Sequence, residues 1–378
     1  MSSRSKNRRA LPLILSLWLV FGWMPAGRAQ TQSAPPDTTR QRRSTPAPQE
    51  QTPQQKPTPS PTPAAQDDTT LQGDEVVRVD TDLTNLLFTA TDKQRRFLTT
   101  LNQQDIRITE DGQPQEIFTF VRQADFPLTL AILVDTSISE QMTLPVEKDA
   151  ASSFIDAVIR PDKDEAAIIS FTGDVTLEQG LTSNVSRLHR ALSRVEFVPP
   201  AGYDSMGTAT GTPPINGSSR TGSTAIWDAV WTTSEEVLSH ASERTRRAII
   251  LLTDGQDTSS MTKMHEAVER AIKADAVIYA IGIGDRYNTG IDEGTLRKIA
   301  ERTGGHAFFP DGESDLRKAF AQIQQELRSQ YLVAYSPTNK TRDGSFRHIQ
   351  IEIVNPELRK QNVRLSYREG YFARGSQK

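Results

Sequence analysis

From Leu128 onward the chain alternates unbroken apolar runs with segments whose apolar residues recur every three or four positions. Strands are predicted at 128–134, 166–171, 175–181, 248–253, 276–283 and 305–309. Runs that lack polar interruption suit strands covered on both faces, as in a parallel sheet. The intervening stretches at 147–159, 185–195, 225–239, 262–274, 294–302 and 314–329 predict helices. The last of these is amphipathic, with Leu316, Phe320, Ile323 and Leu327 on one face. Alternating strands and helices predict an α/β fold built on a doubly wound, mostly parallel sheet. One long connection rich in Gly and Pro, 199–222, interrupts the alternation and leads directly into Thr224.

On either side of this unit the period changes to two. Short strand-like runs occur at 76–79, 86–90, 106–108 and 117–120, with turn signals at Asp92-Lys93 and from Glu110 to Pro114. They predict a small antiparallel sheet. After Gln330 the helical period stops, and strands are predicted at 331–336, 346–353 and 363–367, with Asp343-Gly344 as a hairpin turn. Three strands with two open edges are marginal alone. The C-terminal strands are therefore expected to pack with the N-terminal ones into one β-sandwich, with the α/β unit inserted between its halves.

The first 29 residues differ from the rest. Arg4, Lys6, Arg8 and Arg9 precede a nearly continuous apolar stretch, and Gly27-Arg28-Ala29 offers a small-residue cleavage site. This is the pattern of a secretory signal, and its apolar run is shorter than the ~20 residues of a membrane span. Removing it takes the formal charge from −3 to −8, since the segment holds five basic and no acidic residues. Residues 30–73 hold nine of the 22 prolines with Gln, Thr and Ser, and almost nothing to bury. They predict a disordered spacer with a reach of roughly 120 Å when extended. The expected organisation is a signal at 1–29, a linker at 30–73, an N-terminal β region at 74–124, the α/β domain at 126–330 and a C-terminal β region at 331–375. An acidic chain with no basic block is a poor candidate for nucleic acid. No transmembrane segment is expected apart from the signal, and the absence of cysteine excludes thiol chemistry, zinc–thiolate sites and a cysteine-linked lipid anchor.

The candidate chemistry sits where the apolar runs end. The first run delivers Asp135 to the carboxyl edge of the sheet, with Ser137 and Ser139 following, and the 248–253 run ends at Asp254. Carboxylates and hydroxyls gathered on one edge are hard oxygen ligands suited to Mg²⁺ or Mn²⁺, with Ca²⁺ a third candidate. Together Asp135, Ser137, Ser139, Thr224 and Asp254, in this order and context, resemble the metal-ion-dependent adhesion site of von Willebrand factor type A domains. That resemblance implies a docking module in which a partner protein's Asp or Glu completes the ion's coordination. It also implies that the last helix, 314–329, shifts when ligand is engaged. The segments from Leu101 to Gln115, from Gln330 to Tyr335 and from Gly370 to Phe372 resemble a secreted VWFA-related family common in Acidobacteria.

Enzyme readings are weaker. Asp80-Thr81-Asp82-Leu83-Thr84 matches the nucleophile loop of haloacid-dehalogenase-like phosphatases, but the sequence downstream reads as β rather than α/β. There is no Gly-x-Ser-x-Gly elbow and no general base with convincing placement, and the five histidines lack metal spacing. The expectation is therefore an exported, non-enzymatic, metal-dependent protein-binding module. A structural scaffold and a metal-dependent hydrolase are the alternatives.

Overall fold

The computed structural model describes residues 83–122, 125–199, 202–204, 208, 210, 222–242, 245–284 and 290–375. The signal, the linker, the strand at 76–79, the Asp80–Asp82 motif and most of the 199–222 loop lie outside these residues.

Four short strands open the fold: β1 (Thr84–Thr91), β2 (Ile106–Glu110), β3 (Gln113–Gln115) and β4 (Ile117–Arg122). The alternating unit follows with β5 (Leu128–Asp135), α1 (Leu144–Val158), β6 (Glu165–Phe171), β7 (Val175–Thr182) and α2 (Val185–Arg194). It continues with α3 (Ile226–Thr232), β8 (Arg246–Thr253), α4 (Met264–Lys273), β9 (Ala276–Gly282), α5 (Glu293–Thr303), β10 (Ala307–Phe308) and α6 (Glu313–Arg328). The chain closes with β11 (Tyr331–Tyr335), β12 (Phe346–Ile353), α7 (Pro356–Lys360), β13 (Arg364–Tyr367) and β14 (Gly370–Phe372).

The central sheet has the order β10-β9-β8-β5-β6-β7, parallel throughout except for β7 at the edge. Every residue of β5 is buried, and the reason is visible in the two cores. Leu130, Ile132 and Val134 enter the layer beneath α1, α2 and α6, whereas Ala131 and Leu133 enter the layer beneath α3, α4 and α5. A strand covered on both faces has no polar positions to alternate, hence the continuous apolar run. The amphipathic face of α6 does line the core, with Phe320 against Phe154 of α1 at 4.8 Å between ring centres. The predicted helix 225–239 is instead α3 followed by a wider π turn, Thr233–Leu238, where the Ser234 hydroxyl donates to the Val230 carbonyl.

The flanking strands form two four-stranded antiparallel sheets, β13-β1-β11-β4 and β14-β12-β2-β3. Each sheet takes two strands from before the α/β unit and two from after it. Leu86, Phe88 and Ala90 of β1, Tyr331, Val333 and Tyr335 of β11, Ile106 and Ile108 of β2, and Ile349 and Ile351 of β12 share one core between the sheets. The expected sandwich is therefore present, with different pairings. The N-terminal strands make no sheet of their own, because β11 separates β1 from β4. Asp343-Gly344 is a turn, with Gly344 at φ +73°, but not a hairpin: β11 and β12 belong to different sheets. The tight hairpin is β2–β3, where Asp111 (φ 47°) and Gly112 (φ 79°) both adopt the left-handed conformation a two-residue turn needs.

Candidate metal centre

The chain runs from β5 to β6 and β7 in one direction across the sheet, then crosses to β8, β9 and β10 on the other side. The strand order therefore reverses between β5 and β8, and the crevice outside the carboxyl ends of such a pair is where open α/β sheets bind ligands. The register pairs Val134 with Leu252, so Asp135 and Asp254 leave the sheet side by side.

Asp135 is fully buried. Its Oδ2 accepts from the Thr253 hydroxyl at 2.6 Å and its Oδ1 from the Ser137 amide at 2.9 Å. Ser137 Oγ and Ser139 Oγ lie 3.1 Å apart, and the Ser139 hydroxyl hydrogen-bonds to Asp254. Asp254 also accepts from the Gln256 amide at 2.9 Å. Thr136 turns away to donate to the Phe171 carbonyl, and Ile138 faces solvent, so alternate residues of the loop point to opposite sides. Four of the five predicted ligands, Asp135, Ser137, Ser139 and Asp254, thus form one hydrogen-bonded group. Thr224 is buried at the same sheet edge: its amide donates to Thr258 Oγ1, and its carbonyl accepts from the Thr258 and Ser259 amides. Its hydroxyl takes no part in the hydrogen bonds that join the other four.

Two acidic residues that the pattern of ligands did not single out complete the site. Carboxylate oxygens of Asp135, Glu140 and Asp254 lie within 4.8 Å of one another. Glu140 is fully buried; its Oε2 accepts from the Thr143 hydroxyl at 2.6 Å, while Oε1 has no partner among the described residues. Behind it stands Glu147 in the first turn of α1, buried and facing Glu140 and the Thr143 side chain. Burial, with the neighbouring carboxylate charges, raises both pKa values, and contact between the two carboxyls is favourable once one of them carries a proton. Gly284 (φ +150°) closes this side: a Cβ there would stand 2.9 Å from Asp254 Cβ and 3.7 Å from Glu140 Oε1. Asp257 accepts from the Ile226 amide at the start of α3, and the exposed Asp292 accepts from the Thr295 amide at the start of α5.

Burial pushes the Asp135 carboxyl up to about 7, against the hydrogen bonds from Thr253 and Ser137. Burial also raises Asp254. In the metal-free protein the native state therefore holds a proton that the unfolded chain releases near pH 4. The associated stability is present below that pH and is lost as pH rises through about 7. Denaturation in chelator should show a lower midpoint at about pH 8 than at about pH 5, and Asp135→Asn should flatten the difference. An unchanged slope in the variant would rule out Asp135 as its source.

The donor set is all hard oxygen, and its carboxyls are crowded, buried and, among the described residues, paired with no Lys or Arg. It fits a divalent cation. Two family models, each described as the von Willebrand factor type A domain, match residues 130–256 and 215–322. The chain carries a von Willebrand factor type A domain.

The sequence matched no curated protein. Among solved structures, the chain is similar to proximal thread matrix protein 1 from the mussel byssus: 20% identity, 58% of this chain and 51% of that one, TM-score 0.43. The same mussel protein with a zinc-occupied MIDAS motif gives 22% identity over 57% of this chain and 48% of that one, TM-score 0.43. The chain thus spans about half the length of the mussel protein. BatB from Bacteroides thetaiotaomicron, a conserved hypothetical protein, gives 17% identity over 54% of this chain and 99% of that one, TM-score 0.38. Among the described residues, no helix is long and apolar enough to cross a membrane.

Proposed function

We propose that the protein is an exported binding module whose type A domain holds a divalent cation, Mg²⁺ or Mn²⁺, and docks an Asp or Glu of a partner protein. The observation that carries this reading is the gathering of Asp135, Ser137, Ser139 and Asp254 at the point where the strand order reverses. When bound, the ion supplies an electron-poor position that attracts a further carboxylate. The protein's part is to aim its ligands: Thr253 and the Ser137 amide hold Asp135, and Ser139 holds Asp254. Burial and the neighbouring carboxylates raise the Glu140 carboxyl far above the usual range, which limits the charge it adds beside Asp135 and Asp254 and preserves the ion's attraction for a further carboxylate. Ile138 is 54% exposed and Met142 85% exposed on the segment that carries the serines. Such side chains give a partner apolar area around a polar anchor.

We favour a binding role over catalysis because the groups that meet at the site are carboxylates and hydroxyls joined to one another, an arrangement suited to holding an ion. Among the histidines, His189 bonds Asp156 and Ser152, and His306 bonds Glu326 and Ser366, all remote from Asp135 in the fold. Displayed peptides should bind in Mg²⁺, release in chelator, and lose binding when one Asp or Glu becomes its amide. Peptides that ignore both changes would contradict the docking reading. Binding that survives Asp135→Asn would favour the scaffold alternative. Export predicts a mature protein that begins at Gln30; a retained N-terminus would contradict it.

We further propose that docking is relayed to the sandwich. The metal loop leads into α1, α1 packs on α6, and α6 is followed after two residues by β11. A cross-link fixing α6 to α1 should weaken metal-dependent binding; unchanged affinity would sink the relay.

A further inference from the structure

The opposite end of the molecule carries a second feature. Strand β8 ends beside Asp254, and at its start Arg247 lines a cavity of about 730 Å³. The cavity also takes in the end of α4, the loop from Pro337 to Gly344, and the last strands of the sandwich. Among the described residues, seven basic ones line it and one acidic one, Asp275, in a chain whose net charge is −3.

Internal carboxylates neutralise only some of these cations. Arg347 pairs with the buried Glu110 and Arg368 with Asp275. Among the described residues, Arg247 is held by backbone carbonyls, those of Ala241, Ser242 and Ala274. Lys273 stands over the Phe372 ring, 4.4 Å from its centre, with Glu269 no nearer than 3.9 Å. Lys340 donates to the Ser336 hydroxyl. Carbonyls, rings and hydroxyls orient a cation without cancelling its charge. The Nε atoms of Arg247, Arg347 and Arg368 are buried with no acceptor. Arginine cannot shed its proton to relieve crowding of like charges. The stabilising response left to such a cavity is a counter-anion, and the cations come from separate segments, so a ligand charged on more than one side meets most of them.

We propose that this cavity binds a multivalent oxyanion of the phosphate or sulfate class, either free or carried on a lipid headgroup. The proposal is independent of the metal site.

The test uses the folded chain at fixed ionic strength of about 0.15 M, where exposed charges beyond ~8 Å are screened. Pyrophosphate is the free probe, and vesicles with and without phosphatidic acid are the headgroup probe. Lys273→Gln with Lys340→Gln removes two exposed cations from the cavity, and Lys360→Gln removes one elsewhere. The expected result is a pyrophosphate-dependent rise in unfolding midpoint, with apparent affinity weakened about tenfold or more in the double variant and unchanged in Lys360→Gln. Vesicle binding that needs phosphatidic acid and is lost in the double variant, without a pyrophosphate response, would assign the headgroup source. No response to either probe, or a response equal in all three proteins, overturns the proposal.

Discussion

Replacing Asp135 by asparagine should abolish the rise in thermal midpoint that Mg²⁺ or Mn²⁺ produces in the intact protein, while leaving the metal-free protein at least as stable. The two halves of this expectation have separate causes. Ion binding to the native state stabilises it by mass action, about 2.7 kcal/mol at a hundredfold excess over Kd. Asparagine keeps the shape and one acceptor, for the Ser137 amide, and its NH2 can donate to the Thr253 hydroxyl oxygen in place of accepting from it, but it removes the charge the ion needs. In chelator, the same change relieves a carboxyl that burial already disfavours as an ion beside Asp254. A Ser137→Ala variant should also lose most of the metal response. A metal response surviving in Asp135→Asn would mean that ions bind somewhere else.

The second large effect lies in the sandwich. Glu110 and Arg347, both almost wholly buried, pair at 3.2 Å, and the hydroxyls of Tyr335 and Tyr371 donate to the same carboxylate at 2.8 and 2.9 Å. Tyr335 lies on β11 of one sheet, and Glu110 on β2 of the other, so this carboxylate ties the two together. Glu110→Ala leaves a buried guanidinium without its counter-charge and two hydroxyls without an acceptor, at an expected cost of about 3–5 kcal/mol. That is a large share of the ~5–15 kcal/mol typical of a domain. Denaturant midpoints should record the loss, and adding Arg347→Met to the variant should recover part of it. A cost below about 1 kcal/mol would show that the pair is solvated in solution.

What was legible in the sequence follows physical range. The apolar run before Asp135 announced a doubly covered strand, and with it the carboxyl edge on which Asp135 and Asp254 meet. The sandwich was legible as alternation, yet its pairings were not. Whether β1 finds β4 or β11 depends on contacts across more than 200 residues, and nothing local to Leu86 or Tyr331 encodes them. Asp343-Gly344 misled for the same reason: a turn dipeptide specifies the backbone of the turn, not the sheet its strands join. Glu140 passed as a polar residue after the serines. Glu147 did leave a sign, since it lies three residues after Leu144 and three before Ala150, on the buried face of α1. An acid on an apolar stripe next to a candidate metal loop marks a buried carboxyl.

The central claim is that the group around Asp135 holds the ion. The most direct measurement is anomalous scattering from crystals of the protein grown with Mn²⁺. The expected result is one strong peak within bonding distance of Ser137 and Ser139 Oγ, beside Asp135 and Asp254. A peak confined to other residues, or none there at saturating Mn²⁺, would contradict it.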